Sequence, residues 1–321
     1  MPFLILLRQN VTQLEVELKT TPVKQPTVLT IGVFDGVHLG HLSLIAETIK
    51  QAKTSGYSSG VITFTRHPRL VLGKHKELPY LTSFEQRIKL LKAAGIDHVI
   101  SLSFSEELAA LTADDFIGSL RKHLSMKGLV IGSDFALGKG RKGTAEILRA
   151  MGKEFGFSVT IVPPQVKYGH TVSSTLIRKA MAESDMKQVH ELLGRCFSLE
   201  GRVIKGEGRG AALGIPTANL ELAPDQALPA DGVYATMANI NGKALPSITN
   251  IGTLPTFGIG ERTVETHLLD FNDQLYGDML EIAIIKQIRP EEKFATVEAL
   301  KAQIKLDILK ARHIFVKAEC I

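Results

Sequence analysis

Tryptophan is absent from this chain of 321 residues, and aromatic residues together make up only 6%. A broad platform for stacking nucleic-acid bases therefore has little material. Only two cysteines occur, Cys196 and Cys320, with no CxxC pair and no Cys/His cluster. That excludes a disulfide framework and a cysteine-based zinc site, and it suits a reducing compartment. Charge of one sign is scarce as well. The 38 basic and 33 acidic residues leave a formal net charge of +5, and no block of Lys and Arg rises above its surroundings. A sequence pI of about 9.1 raises a nucleic-acid-binding reading. That class calls for clustered Lys/Arg with interleaved aromatics, which the chain does not have. No apolar run approaches the roughly 20 residues of a spanning helix. The run at residues 3–7 is too short for the core of a secretory leader, and neither a basic segment nor a small-residue cleavage site flanks it. It is read as an early buried strand, and a cytoplasmic protein that engages neither membrane nor nucleic acid is expected.

What is present fits a globular protein: 44% hydrophobic and 22% charged residues. At roughly 150 residues per domain, the length suggests two domains. The first half alternates β-branched runs with helical stretches. Strands are expected at 28–33, 59–64, 98–102, 129–132 and 158–162, and helices at 39–56, 83–94, 112–123 and 144–155. Leu42, Ile45, Ala46 and Ile49 fall at helical spacing, Gly95 ends the second helix, and Thr112 with Asp115 resembles a capping box. Such alternation predicts an α/β domain with a mostly parallel sheet. Near residue 184 the pattern changes. A linking helix at 186–193 ends at Gly194, and strand-like runs follow at 197–204, 218–222, 232–240, 246–251, 264–271 and 279–288. Short strands with turns of this number predict an all-β, six-stranded antiparallel barrel, with an amphipathic helix at 295–315 packed on it. The expected domains are 1–184 and 185–321.

The strongest early motif is Gly32-Val33-Phe34-Asp35-Gly36-Val37-His38-Leu39-Gly40-His41. A strand enters a glycine-rich turn and then a helix whose free N–H groups and positive dipole end suit phosphate. His38 and His41 share one face of the first helical turn. Two imidazole donors there can stabilise charge growing on a phosphate, and one such donor is worth roughly 3–4 kcal/mol. Either histidine alone is better read as a surface residue; the pair after the strand and turn points to function. Ser173-Ser174-Thr175-Leu176-Ile177-Arg178 places three hydroxyls at a helix start with a guanidinium one turn on. Alone it is equally an N-cap cluster; beside the paired histidines it reads as a triphosphate clamp. Gly138-x-Gly140-x-x-Gly143 imitates a dinucleotide fingerprint, but no acidic residue stands at 159–165, where one is needed. Nor is it a P-loop, because Thr144 follows Gly143 where lysine is required.

In the second half, Gly206-Glu207-Gly208-Arg209-Gly210-Ala211-Ala212-Leu213-Gly214-Ile215-Pro216-Thr217-Ala218-Asn219 runs a glycine-rich loop into a strand. Loop N–H groups can cradle phosphates, and Thr217 and Asn219 offer hard oxygens suited to Mg²⁺. A surface loop before an Asn-capped strand fits the same residues. Strand alternation puts Glu265 on one face with His267, opposite Val264, Thr266 and Leu268. It fits either a general base or an exposed strand carboxylate.

Thr63-Phe64-Thr65-Arg66-His67-Pro68, Gly132-Ser133-Asp134-Phe135, Asn250-Ile251-Gly252, Pro255-Thr256-Phe257, Glu265-Thr266-His267 and Leu275-Tyr276-Gly277 complete the set. With them the chain, over nearly its whole length, closely resembles the bacterial bifunctional riboflavin kinase/FAD synthetase family, whose first half is a Rossmann-like HxGH nucleotidyltransferase. The resemblance implies that the second half transfers the γ-phosphate of ATP to riboflavin, giving FMN. The first half would then adenylylate FMN to FAD and release pyrophosphate. It further implies roles for individual residues. His38, His41 and Arg178 would be catalytic in the first half and Glu265 the base in the second. Gly32, Phe34, Asp35, Gly40, Ser173, Ser174 and Thr175, then Gly206, Gly208, Gly214 and Pro216, would bind ATP. His67, Pro68, Asp134 and Phe135 would face the flavin, and Thr217 and Asn219 would hold Mg²⁺. The chain departs from the family at Arg66, Leu137, Leu176 and Ala211. The first three could alter flavin affinity, and Ala211 removes a possible phosphate contact.

Overall fold

The computed structural model describes residues 12–73, 78–206, 208, 210, 213–253 and 262–316. The strand expected at 3–7, Ala211 and the Pro255-Thr256-Phe257 motif lie outside them. The described chain divides into two compact units. One comprises the residues up to Leu78 together with Arg87–Val166; the other comprises Pro79–Gln86 and the residues from Lys167 onward.

The first unit follows the expected alternation: α1 (Gln13–Lys19), β1 (Thr27–Ile31), α2 (Leu39–Ser55), β2 (Ser58–Phe64), α3 (Pro68–Val71), α4 (Phe84–Ala93), β3 (His98–Leu102), α5 (Glu106–Ala110), α6 (Ala113–Leu124), β4 (Met126–Gly132), β5 (Ala136–Leu137), β6 (Gly143–Thr144), α7 (Ala145–Phe155) and β7 (Ser158–Val162). Five strands form one sheet in the order β3-β2-β1-β4-β7, and every pairing is parallel. A parallel sheet is covered on both faces, so its central strands read as unbroken apolar runs; all of β1 is buried. Leu29 and Ile31 pack with Phe116, Leu120 and Leu148 on one face. Val28 meets Ala52 of α2 on the other. Helix caps act where sequence placed them. Thr112 accepts from the Asp115 amide and donates to its carboxylate, and Gly56 ends α2 in the left-handed conformation.

In the second unit α8 (Ser174–Ala182) and α9 (Met186–Leu193) precede β10 (Phe197–Ile204), β11 (Ala218–Glu221), β12 (Gly232–Ile240), β13 (Lys243–Thr253), β14 (Arg262–Leu268), β15 (Met279–Pro290) and α10 (Val297–Phe315); β8 (Val166–Lys167) and β9 (His170–Thr171) form a small ribbon before them. The barrel closes in the order β10-β11-β14-β13-β12-β15, all pairs antiparallel. Alternation sends Val264, Thr266 and Leu268 inward, where Thr249 faces Thr266 and Ile251 faces Val264. Ala235 and Ile248 point outward and are covered by Ala311, Ile304 and Ile308 of α10, so the terminal helix seals one wall. Inside, hydroxyls satisfy one another: Thr236 lies 2.8 Å from both Ser247 and Thr249, and Thr249 lies 2.9 Å from Thr266.

Residues 167–184 go with the barrel unit. The Ala230 amide donates to the Met181 carbonyl at 3.1 Å, and Ser184 and Tyr234 share a hydroxyl bond at 3.1 Å. These ties, absent from any local pattern, attach α8 to the barrel.

Candidate functional site

The sheet order reverses direction between β1 and β4. In open parallel sheets, ligands settle outside the carboxyl ends of the strands at such a reversal. The segments that leave β1, β2 and β4 carry the paired histidines, His67-Pro68 and Asp134-Phe135 respectively.

After β1, Gly32 donates its amide to the Ile62 carbonyl at 3.0 Å, and the Val37 amide returns to the Phe34 carbonyl at 3.0 Å. The turn is strained: Phe34, Gly36 and Val37 all have positive φ, 55°, 80° and 38°. Glycine takes this region freely, whereas each of the other two costs about 1–3 kcal/mol. Burial offsets the cost, because Phe34 and Val37 are 0% and 2% exposed among Ile45, Val61 and Leu91. The neighbouring Asp35 is also buried. His38 caps α2, and its Nδ1 accepts the His41 amide at 3.3 Å. The proton of a neutral His38 ring therefore sits on Nε2, as a donor. The His41 ring stacks on it with centroids 3.6 Å apart, and the Phe34 ring lies tilted to His41 with centroids 5.0 Å apart. Gly40 is the second residue of α2, so no side chain stands over the helix start there.

After β2, His67 caps α3 through Nδ1, which accepts the Arg69 amide at 3.1 Å, and Pro68 opens that helix. After β4, Phe135 turns back to the Gly132 carbonyl at 3.2 Å, and Arg141 holds the Asp134 carbonyl at 3.0 Å. An open crevice of about 490 Å³ is lined by Val71, Leu72, Ala109 and Ala110, with Glu106 and Lys139. The false fingerprint also finds its reason. A Cβ on Gly138 would meet the Ala113 amide at 2.7 Å, and one on Gly143 would meet the Ala113 side chain at 2.8 Å. Those glycines let the loop lie against the start of α6.

In the second unit, Ser173 caps α8 by accepting the Leu176 amide at 3.3 Å. Ser174 and Thr175 are its first helical residues, and Arg178 lies one turn on, its Nε donating to the Pro79 carbonyl at 2.6 Å.

The barrel carries its own polar group. Glu265 on β14 is paired with Asn219 on β11 and with Asn250 on β13, so the three side chains are cross-strand neighbours on one outward face. His267, two residues along the same face, lies 2.7 Å from the Pro216 carbonyl through Nδ1. A carbonyl only accepts, so Nδ1 carries the proton, and the bond fixes the residue before Thr217. Two glycines, Gly206 and Gly210, stand against the same residues. A Cβ on Gly206 would overlap the Asn219 amide, and one on Gly210 would reach the Thr217 hydroxyl at 3.0 Å. Gly208 and Gly214 both take left-handed φ, 74° and 75°. Sequence reading had placed Glu265 and His267 together. It missed Asn250 as the third member, although the strand period marks it as outward-facing once the register is known.

A nucleotidyl-transfer layout in the sheet unit and a phosphoryl-transfer layout on the barrel define the class: a two-module transferase acting on nucleoside triphosphate. The FAD synthetase family model matches residues 20–176, and the riboflavin kinase family model matches residues 193–315. The bifunctional riboflavin kinase/FMN adenylyltransferase of Escherichia coli (strain K12) is 38% identical over 290 residues, covering 90% of this chain and 92% of its own. That of Listeria monocytogenes is 34% identical over 294 residues, covering 91% and 93%. A crystal structure from Streptococcus pneumoniae, described as a macrolide-efflux protein, superposes with a TM-score of 0.84 at 33% identity, covering 92% of this chain and 96% of that one. The chain belongs to the family of bifunctional riboflavin kinases/FMN adenylyltransferases.

Proposed function

We propose that the barrel half phosphorylates riboflavin to FMN with ATP and that the half bearing the parallel sheet adenylylates FMN to FAD, releasing pyrophosphate. Membership of the family over about nine-tenths of the chain carries this reading. The functional halves are taken as 1–184 and 185–321, the first including α8 because its hydroxyls and Arg178 suit a triphosphate.

In the adenylyl-transfer half, an FMN phosphate oxygen attacks the α-phosphorus of ATP, and the bond to the leaving pyrophosphate breaks. Catalysis of this kind rests on positioning and charge stabilisation. The Nε2 donor of His38 and the stacked His41 serve the α-phosphate; Gly32, Phe34, Asp35 and Gly40 shape the nucleotide side. Ser173, Ser174, Thr175 and Arg178 hold the β- and γ-phosphates. His67, Pro68, Asp134 and Phe135 face the flavin, and the apolar crevice beside α3 takes the edge of its ring system.

In the kinase half, Glu265 accepts the proton of the riboflavin 5′-hydroxyl as its oxygen attacks the γ-phosphorus of ATP and ADP leaves. A base so placed contributes about 10²–10⁴-fold. Gly206, Gly208, Gly214 and Pro216 form the phosphate loop. A Mg²⁺ ion would be held by Thr217 and Asn219 together with nucleotide phosphates, and it would neutralise phosphate charge. The donors fit it: a hydroxyl and an amide oxygen suit a hard cation that keeps waters and phosphates as its other ligands. Among the described residues no group of three or more His, Cys, Asp and Glu is arranged to hold a metal.

We place the enzyme in the cytoplasm, with riboflavin, FMN and ATP as its partners and with neither nucleic acid nor membrane. Among the described residues no helix is long and apolar enough to cross a membrane. The efflux role in the description of the pneumococcal protein is not carried over to this chain. The direct test is incubation with riboflavin, ATP and Mg²⁺, with chromatography of the flavins over time. FMN and then FAD should appear; riboflavin and added FMN both left unchanged by folded protein would overturn the reading.

A further inference from the structure

Arg87, in α4, is among the largest fully buried side chains of the molecule, at 1% exposure. Burying a guanidinium is costly, and a leucine or methionine would fill the volume without that cost. Its position tells what the charge is used for. One terminal nitrogen donates to the Val33 carbonyl at 2.9 Å and to the Phe64 carbonyl at 3.0 Å. The Thr63 hydroxyl donates to the same Val33 carbonyl at 2.9 Å. Val33 is the last residue before the strained turn that leads to His38 and His41. Phe64 ends β2 and precedes the segment of His67 and Pro68. A single planar group thus ties together the roots of the two loops assigned to nucleotide and to flavin.

We propose that Arg87 is a positioning residue for adenylyl transfer, setting the spacing between the histidine turn at 34–41 and the flavin-side segment at 65–68. This rests on the reading that those loops bind ATP and FMN. The attacking phosphate and the α-phosphorus are brought in by different loops, so their separation depends on how the roots are fixed. A displacement of 1 Å far from the chemistry costs about 100-fold. Both carbonyls must be met by one donor group. Methionine keeps the apolar stem and loses both bonds. Glutamine offers one short amide. Lysine retains the charge and several donors, without the planar geometry.

The test uses the full chain with Arg87→Met, Arg87→Lys and Arg87→Gln, assayed well below each variant's melting temperature. Arg87→Met should lower kcat/KM for FMN adenylylation by about 100-fold, with KM for FMN and for ATP both raised. Riboflavin phosphorylation in the same sample should stay within about two-fold, and Arg87→Lys should recover part of the loss, since an ammonium still donates. A merely structural role predicts a lower melting temperature with unchanged kinetic constants, and that result overturns the proposal. Equal loss of both activities in folded Arg87→Met protein overturns it too. Should Arg87→Met not fold, Arg87→Gln decides: adenylylation alone reduced supports the proposal, and wild-type adenylylation defeats it. Wild-type protein that makes no FAD from FMN would remove the underlying reading instead, a result visible before any variant is compared.

Discussion

Asn219 lies across the place where a side chain on Gly206 would stand. Gly206→Ala should therefore displace the amide proposed to hold the nucleotide's cation. Riboflavin phosphorylation should fall by about ten-fold or more, in keeping with what misplaced groups cost, while FAD formation from supplied FMN is unchanged. Steady-state rates of both reactions on one preparation check this. At this scale the sequence was informative where chemistry depends on local order. HxGH sits on one turn, and Glu265 and His267 share a strand face. It was silent on Arg87 and on the place of Asn250 beside Glu265, because their partners, Val33, Phe64 and Glu265, come from other parts of the chain. No spacing within one element encodes a cross-strand neighbour.

The long elements follow from periodicity and caps. The helix predicted at 186–193 and the strands at 98–102 and 158–162 match the observed ones residue for residue. The short α1, α3 and α5 and the two-residue ribbons were not read, since each is too brief to show a period and is held by caps or by neighbours. Element docking also rests on groups no pattern marks. Arg289 of β15 and Asp307 of α10 form an ion pair at 2.9 Å, with side chains 11% and 1% exposed. Gln303 donates to the other Asp307 oxygen at 2.8 Å. Removing one partner of a buried pair leaves the other charge uncompensated, at about 3 kcal/mol. Asp307→Ala should lower stability by that amount in denaturant unfolding followed by barrel-specific hydrogen exchange. An unchanged midpoint would show that α10 is held by its apolar contacts alone.

Across the molecule, two modules with separate cores predict separable responses. His190 of α9 donates from Nε2 to the Ile284 carbonyl of the barrel at 2.8 Å, and burial holds its pKa below the ordinary histidine value. The unfolded chain then binds the proton more readily. The contribution is complete above the unfolded pKa of about 6.5 and is lost as pH falls below it toward the folded value. Unfolding of the barrel unit monitored from pH 8 to pH 5 should show declining stability, and His190→Gln should flatten the slope in that window.

Assignment of one reaction to each module is the central claim. Chromatography of the flavins made by His38→Ala and Glu265→Gln proteins, each given riboflavin or FMN with ATP and Mg²⁺, tests it most directly. His38→Ala should form FMN and stop there; Glu265→Gln should leave riboflavin largely unconverted yet turn FMN into FAD. If either folded variant lost both conversions together, the division of labour would be contradicted.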